Sequence, residues 1–304
     1  MTTAIDLSQL PAPKVIEPLD FEAILAARKA ALLALYPEDQ QADVAARLEL
    51  ESEPLNKLLQ ENAYREVMLR QRINDAARGV MLAFASGSDL DHLGARDGVA
   101  RLLIDPGDSS AVPPRAAVYE PDVDFRRRIQ LSPEGHTTAG SEQSYLYHGL
   151  SADPDVADIS AVSPTPGVVT VYVLSRSGDG AASEQLLAAV TAALNQDAVR
   201  PMTDQVTVQS ASIVTYSIAA ELVMLPGPDA AVVQAAAASA AQAYASAQHV
   251  LRRDVTLSGI YAALHQPGVQ RVELTSPAAT LPIGDGEASH CTTISLTVAA
   301  NTDV

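Results

Sequence analysis

Asp89-Leu90-Asp91-His92 is the nearest thing in this sequence to a set of metal ligands, two carboxylates and an imidazole within four residues. A metal centre needs such donors converging on one point. The same run also reads as a helix start, with Ser88 or Asp89 as the cap and the acidic groups beside the positive end of the helix. The capping reading is the simpler one. His290-Cys291 places an imidazole beside a thiol, the pair a cysteine nucleophile needs. Neighbours on a strand point to opposite faces, so the two cannot share a proton, and Cys291 is expected to be a buried structural thiol. Arg126-Arg127-Arg128 could attract an anion, but Asp122 and Asp124 stand four residues before Arg126 and Arg128, the spacing of two ion pairs along one helix. None of the three lysines, Lys14, Lys29 and Lys57, lies in a Gly-Lys-Ser/Thr phosphate loop, and the chain contains no Gly-x-Ser-x-Gly, His-Glu-x-x-His or Gly-x-Gly-x-x-Gly. The expectation is a chain with no catalytic residues, no metal and no cofactor.

What the chain can build follows from its composition. It has 304 residues, 47% of them hydrophobic and 19% charged, which is enough apolar material to bury cores and long enough for roughly two domains. Trp is absent and Phe occurs 3 times, so Leu, Val and Ala must fill those cores by close packing. A formal net charge of -17 opposes any large phosphate-binding face, so nucleic acid is disfavoured as a partner, and a more positive protein surface is favoured. The single cysteine forbids an internal disulfide, which suits a reducing cytoplasm, and the N-terminal residues lack the basic and apolar regions of a secretory signal. The uncharged stretch Ala230 to Leu251 is built from Ala, Ser and Gln, too polar to enter a membrane, and is expected to be a buried helix.

The pattern along the chain predicts an α+β protein, an N-terminal long-helix region followed by two small sheet-based α+β domains. Residues 1–18, with Pro11, Pro13 and Pro18, read as an extended arm. A helical region covers 19–102. Its first helix runs from Phe21 to about Tyr36, capped by Asp20, its second from Asp43 to Leu50, and its long third from a Ser52 cap to Ala85, with Pro54 in the first turn. Residues 103–121 read as a linker or hinge, because Pro106, Gly107, Pro113 and Pro114 crowd one short polar stretch. A middle α+β domain follows over 122–211. It has helices at Asp122 to Gln130, Ser141 to Tyr147 and after Ser183, and strands at Val156 to Val162, Val168 to Leu174 and Val206 to Gln209. The C-terminal α+β domain, 212–304, repeats the theme. An apolar strand at Ile213 to Leu225 is broken by Pro226-Gly227-Pro228. The Ala-rich helix, a helix at Leu257 to His265, and strands at Val269 to Thr275 and Thr292 to Val298 complete it. The Ala-rich helix is expected to pack on the sheet through Val232, Ala236, Ala240 and Tyr244.

Within the long third helix, Leu55, Leu59, Asn62, Glu66, Leu69, Ile73, Ala76 and Val80 recur in steps of four and three, the seam of a heptad pattern. The two polar members, Asn62 and Glu66, suit an interface that must fix register and partner better than an anonymous core. Leu58, Val67 and Met68 lie off that seam, so several helices are expected around it.

Read as strings, Leu19 to Lys29 and Leu35 to Gln41 resemble the opening of the baseplate assembly protein J family of P2-like contractile phage tails and R-type pyocins, itself distantly like the large wedge protein of T4-like phages. Glu51-Ser-Glu-Pro-Leu55, Glu61 to Glu66, Arg72 to Arg78, Asp122 to Ile129, Val199 to Asp204, Ser258 to His265 and Gly268 to Glu273 continue the match in order. The resemblance implies a structural wedge subunit of the baseplate ring, which couples host recognition to sheath contraction, and it brings no catalytic residues. By the same resemblance, a second copy of the chain and one tail protein I-type subunit share a bundle of N-terminal helices, on which a small lysozyme-like baseplate protein docks. Neighbouring wedges meet through the C-terminal domain around the central hub and spike, against the adjacent sheath. Assembly in the host bacterial cytoplasm and a final place in a phage or pyocin baseplate follow, with neither nucleic acid nor membrane as partner. An alternative is a receptor- or saccharide-binding module, which would need exposed aromatic side chains at a groove. Tyr145 and Tyr147 are the close pair that could supply them.

Overall fold

The computed structural model describes residues 5, 7, 10, 11, 13–137, 140–227 and 229–300. Eight residues of the expected arm, 1–18, lie outside them, as do Thr138, Ala139, Pro228 and 301–304. The chain divides into two compact units, Met1–Ala100 and Arg101–Val304.

The first unit is helical. Helix α1 (Phe21–Leu33) starts where Asp20 accepts hydrogen bonds from the N–H groups of Glu22 and Ala23, as its sequence predicts. Helix α2 (Glu38–Leu48) begins five residues earlier than expected. Pro37 both stops α1 and opens α2, and Glu38 and Asp39 favour the positive end of the new helix. Helix α3 (Pro54–Gly79) is the long one. Ser52 is not its cap: Glu53 holds that position without a side-chain bond, and Pro54 at the first position needs no partner for its missing N–H. The helix ends at Gly79, short of Ala85, and the chain turns into α4 (Gly87–Arg96) from Ser86 rather than from Ser88 or Asp89.

The second unit opens with structure where a linker was expected. Strands β1 (Leu103–Asp105) and β2 (Val118–Tyr119) pair antiparallel, and Asp108 bridges Arg115 beyond them, so 103–121 is a hairpin. The prolines that suggested a breaker occupy its long turn. Helix α5 (Asp122–Leu131), a 3-10 turn (Ser132–His136) and helix α6 (Glu142–Leu150) follow. The middle sheet then takes the order β3-β4-β5, from β3 (Val156–Thr165), β4 (Val168–Ser175) and β5 (Gln205–Ser210). The first pair is antiparallel and the second parallel, joined by helix α7 (Glu184–Leu194), which is capped by Ser183. Leu186, Val190 and Leu194 of α7 bury against Val171 and Val173 of β4.

Strand β6 (Ser212–Met224) follows β5 with only the buried Ala211 between them, so the middle and C-terminal domains are fused without a linker. Helices α8 (Ala230–Gln248) and α9 (Leu257–Leu264) precede strands β7 (Val269–Ser276) and β8 (Glu287–Ala300), and the second sheet has the order β7-β6-β8. Alternate residues of β6, from Tyr216 to Met224, face α8 and α9. The face of α8 that meets them is Val233, Ala237, Ala241 and Ala245; of the expected stripe Tyr244 packs against this core, whereas Ala236 is exposed and Val232 is 66% exposed. An Ala-rich helix carries almost no amphipathic contrast in its sequence to locate its buried side. Gly259 lets α9 approach α8: a Cβ there would lie 2.5 Å from the ring of Tyr244, whose hydroxyl is hydrogen-bonded to Thr256. The two domains are also stapled. Leu251 packs with Leu174, Ala211 and Ala288 and donates its N–H to Asp158, while Arg252, held at φ 64, pairs with Glu142 and Asp285.

Candidate partner interface

The chemistry considered from sequence resolves into structure. Among the described residues no group of three or more His, Cys, Asp or Glu is placed to hold a metal. Asp89 lies in the first turn of α4, and Asp91 and His92 are exposed. Cys291 and His290 do point apart. Cys291 packs in the C-terminal core beside Tyr216, with burial pushing its thiol up, while the His290 ring meets His249 edge-on at 5.3 Å. Cys291 is half-buried rather than fully buried. No described helix is long and apolar enough to cross a membrane.

The arginine run is structural, but by long-range pairs. Asp124 pairs with Arg176 at 2.7 Å instead of Arg128, and the Asp122 carboxylate meets Arg101 at 2.8 Å. Arg127 pairs with Asp158, and Arg128 grips Glu120 with two parallel bonds of 2.8 and 2.7 Å, both side chains 4% exposed. Sequence spacing identified the acids, but the fold brings nearer partners to them. The space enclosed there is about 10 Å³, room for at most one water, so no anion site remains. Tyr145, 2% exposed with its hydroxyl on Asp204, is unavailable to a saccharide.

What the structure leaves open is α3. At 3.6 residues per turn its surface divides into sectors. One sector carries Asn56, Ala63 and Asn74, and it is buried within the unit. Asn56 donates to the carbonyl of Leu50. Asn74 takes the backbone of Glu17 from both sides, donating to its carbonyl at 2.9 Å and accepting from its N–H at 3.1 Å. Arg70 adds an ion pair to the Glu17 carboxylate at 2.7 Å, so the end of the arm is strapped onto α3. The inward face of this helix therefore carries two asparagines beside Ala63. Sequence reasoning missed Asn56 and Asn74. The signal was their spacing of 18 residues, five whole turns, for a residue type that helices disfavour.

The heptad seam lies roughly a third of a turn away from that sector. Leu55, Leu69, Ile73 and Val80 are 40%, 66%, 61% and 71% exposed, and Ala76 is exposed with them. Leu59, Asn62 and Glu66 are half-buried, and Leu59 and Glu66 line a groove with α1. Glu66 is already engaged, bonded to Arg28 and to Arg70, whose guanidinium groups hold its carboxyl below the usual carboxylate range. Leu58 widens the exposed stripe, and between α3 and α1 runs a groove of about 540 Å³ lined by Ala23, Ile24, Ala27, Leu32 and Leu59. Among the described residues α1 packs along α3, α2 adjoins it near Leu55 and α4 near Gly79, and much of its apolar surface stays uncovered. The arrangement offers a long apolar stripe of the kind that packs against another helix.

Comparison with known proteins covers nearly the whole chain. Residues 51–108 match the Baseplate J-like N-terminal domain, 137–210 the Baseplate J-like central domain, and 216–297 the Baseplate J-like protein C-terminal domain. Baseplate protein J of Escherichia phage P2 is 59% identical over 288 residues, 95% of either chain. Among solved structures, a chain in the cryo-EM structure of the anti-feeding prophage baseplate aligns with 60% of this chain at 16% identity and a TM-score of 0.41. This chain spans 44% of that one.

Proposed function

The chain belongs to the Baseplate J-like family and is a subunit of a contractile tail baseplate, and from that premise we propose that it is a structural wedge component with no catalytic role. The observation that supports this reading best is the exposed seam of α3, an apolar stripe of Leu55, Leu69 and Ile73 continued by Val80 at the C-cap, on a helix that buries two asparagines on its inward face. Such a stripe stays wet in the free subunit and is covered on assembly. In the proposed wedge, α3 enters a helix bundle with a second copy of the chain and a tail protein I-type subunit, and a lysozyme-like small protein docks on the bundle. The C-terminal domain meets neighbouring wedges around the hub and spike. Fusion of the middle and C-terminal domains through Ala211, Leu251 and Arg252 suits a part that transmits force as one body.

Co-expression with the neighbouring tail genes tests this. The expected outcome is a complex of fixed stoichiometry containing two copies of this chain, measured by native mass spectrometry. A chain that purifies alone under those conditions would contradict the wedge role.

A further inference from the structure

Helix α3 is basic in an acidic chain. Between Pro54 and Gly79 it carries Lys57, Arg65, Arg70, Arg72 and Arg78 against Glu61, Glu66 and Asp75, a net of +2 where the whole chain is -17. Position matters more than the sum. One column of the heptad seam is Leu59, Glu66, Ile73 and Val80, and the residues just before it are Leu58, Arg65, Arg72 and Gly79. The other column is Leu55, Asn62, Leu69 and Ala76, and the residues just after it are Asn56, Ala63, Arg70 and Ala77. These two sets are the flanks that decide which helix can pair.

The second flank is used up inside the unit. Asn56 and Ala63 are buried, and Arg70 is bound to Glu66 and Glu17. The first flank is open. Leu58 is 56% exposed, the Arg65 side chain 73%, and Arg72 is exposed with no ion pair among the described residues. Arg65 has one carboxylate, that of Glu61 on the same helix.

This asymmetry opposes a symmetric zipper of two α3 helices. In an antiparallel pair like flanks meet, so Arg65 and Arg72 of one copy would oppose those of the other. In a parallel pair each open flank would need the partner's second flank, which is already covered. We infer that the open side of α3 is closed by an amphipathic helix of a different protein, carrying apolar residues in a 3-4 pattern and carboxylates on the flank that meets Arg65 and Arg72. Two copies of this chain then share a bundle only with that acidic helix between them. The inference rests on the reading of α3 as an interface and adds the chemistry of its partner.

Two designed helical peptides, each about four heptads long with the same Leu/Ile seam, serve as probes, one with Glu and one with Lys at every flanking position. Both are titrated against the full-length chain. The chain's overall charge favours the Lys peptide, so a preference for Glu needs a local cause. At low salt the Glu peptide should bind about tenfold more tightly, and the margin should shrink toward nothing near ~0.5 M salt. Arg65→Glu/Arg72→Glu, at exposed sites, should keep the native melting curve and reverse the preference. Equal binding by the wild-type chain, or an unchanged preference in the double variant, overturns the acidic partner while α3 remains an interface. Binding of neither peptide, together with a baseplate complex indifferent to Leu69→Asp, overturns both. Sedimentation of the chain alone should show a monomer; a dimer that Leu69→Asp dissolves would also overturn the inference.

Discussion

Residues 101–304 and residues 1–100 dispose of their apolar side chains in opposite ways. Among the described residues, the second unit buries 33 apolar residues and exposes 11 large ones, whereas the first buries 6 and exposes 12. The second unit behaves as a domain should: β6 alternates its side chains onto α8 and α9, and β4 does the same onto α7. In the first, the longest helix turns two asparagines inward and its leucines outward. A unit with so small a core has little stability of its own, and whatever binds it stabilises it by mass action. The contrast separates two kinds of structural part. One is finished when the chain folds, and the other is finished only when a partner arrives.

The contrast can be broken at either end. Arg128→Met should have the largest effect in the free chain, because it leaves Glu120 buried without its counter-ion; about 3–5 kcal/mol of stability should be lost, read by chemical denaturation. Leu222→Ala, at a fully buried site of β6, should cost about 2–5 kcal/mol through the cavity it opens. Ala237→Leu should overpack the α8 contact by roughly 1–3 kcal/mol, whereas Ala236→Leu, on the exposed side, should change little. Ile73→Ala should shift the free chain by less than about 0.5 kcal/mol. If Ile73→Ala were as costly as Leu222→Ala, α3 would be an ordinary internal core helix and the distinction between the units would fail.

Much of the second unit was legible from its sequence, since period-2 apolar runs and the Ser183 cap place β3, β4, β6 and α7 to within a few residues. The hairpin at 103–121 was not, because strands of three and two residues carry no period and the prolines between them look like a breaker. The early stop of α3 at Gly79 was also hidden. Val80, Met81, Leu82 and Phe84 continue the apolar composition, while the turn that ends the helix is made by backbone bonds among Arg78, Met81 and Phe84. For the seam, sequence identified the apolar column but could not tell which members α1 would claim. Glu66 was expected to face a partner chain, and its bonds to Arg28 and Arg70 depend on an inter-helix contact that no periodicity encodes.

The exposed seam is the centre of this account, and one measurement bears on it most directly. Leu69→Asp and Ile73→Asp chains are co-expressed with the neighbouring tail genes, and complex yield is compared with the melting temperature of each purified chain. Because both sites are open in the free chain, the melting temperature should stay near that of the parent. An unpaired carboxylate buried by assembly should abolish the complex. Normal complex yield from either variant would contradict the account.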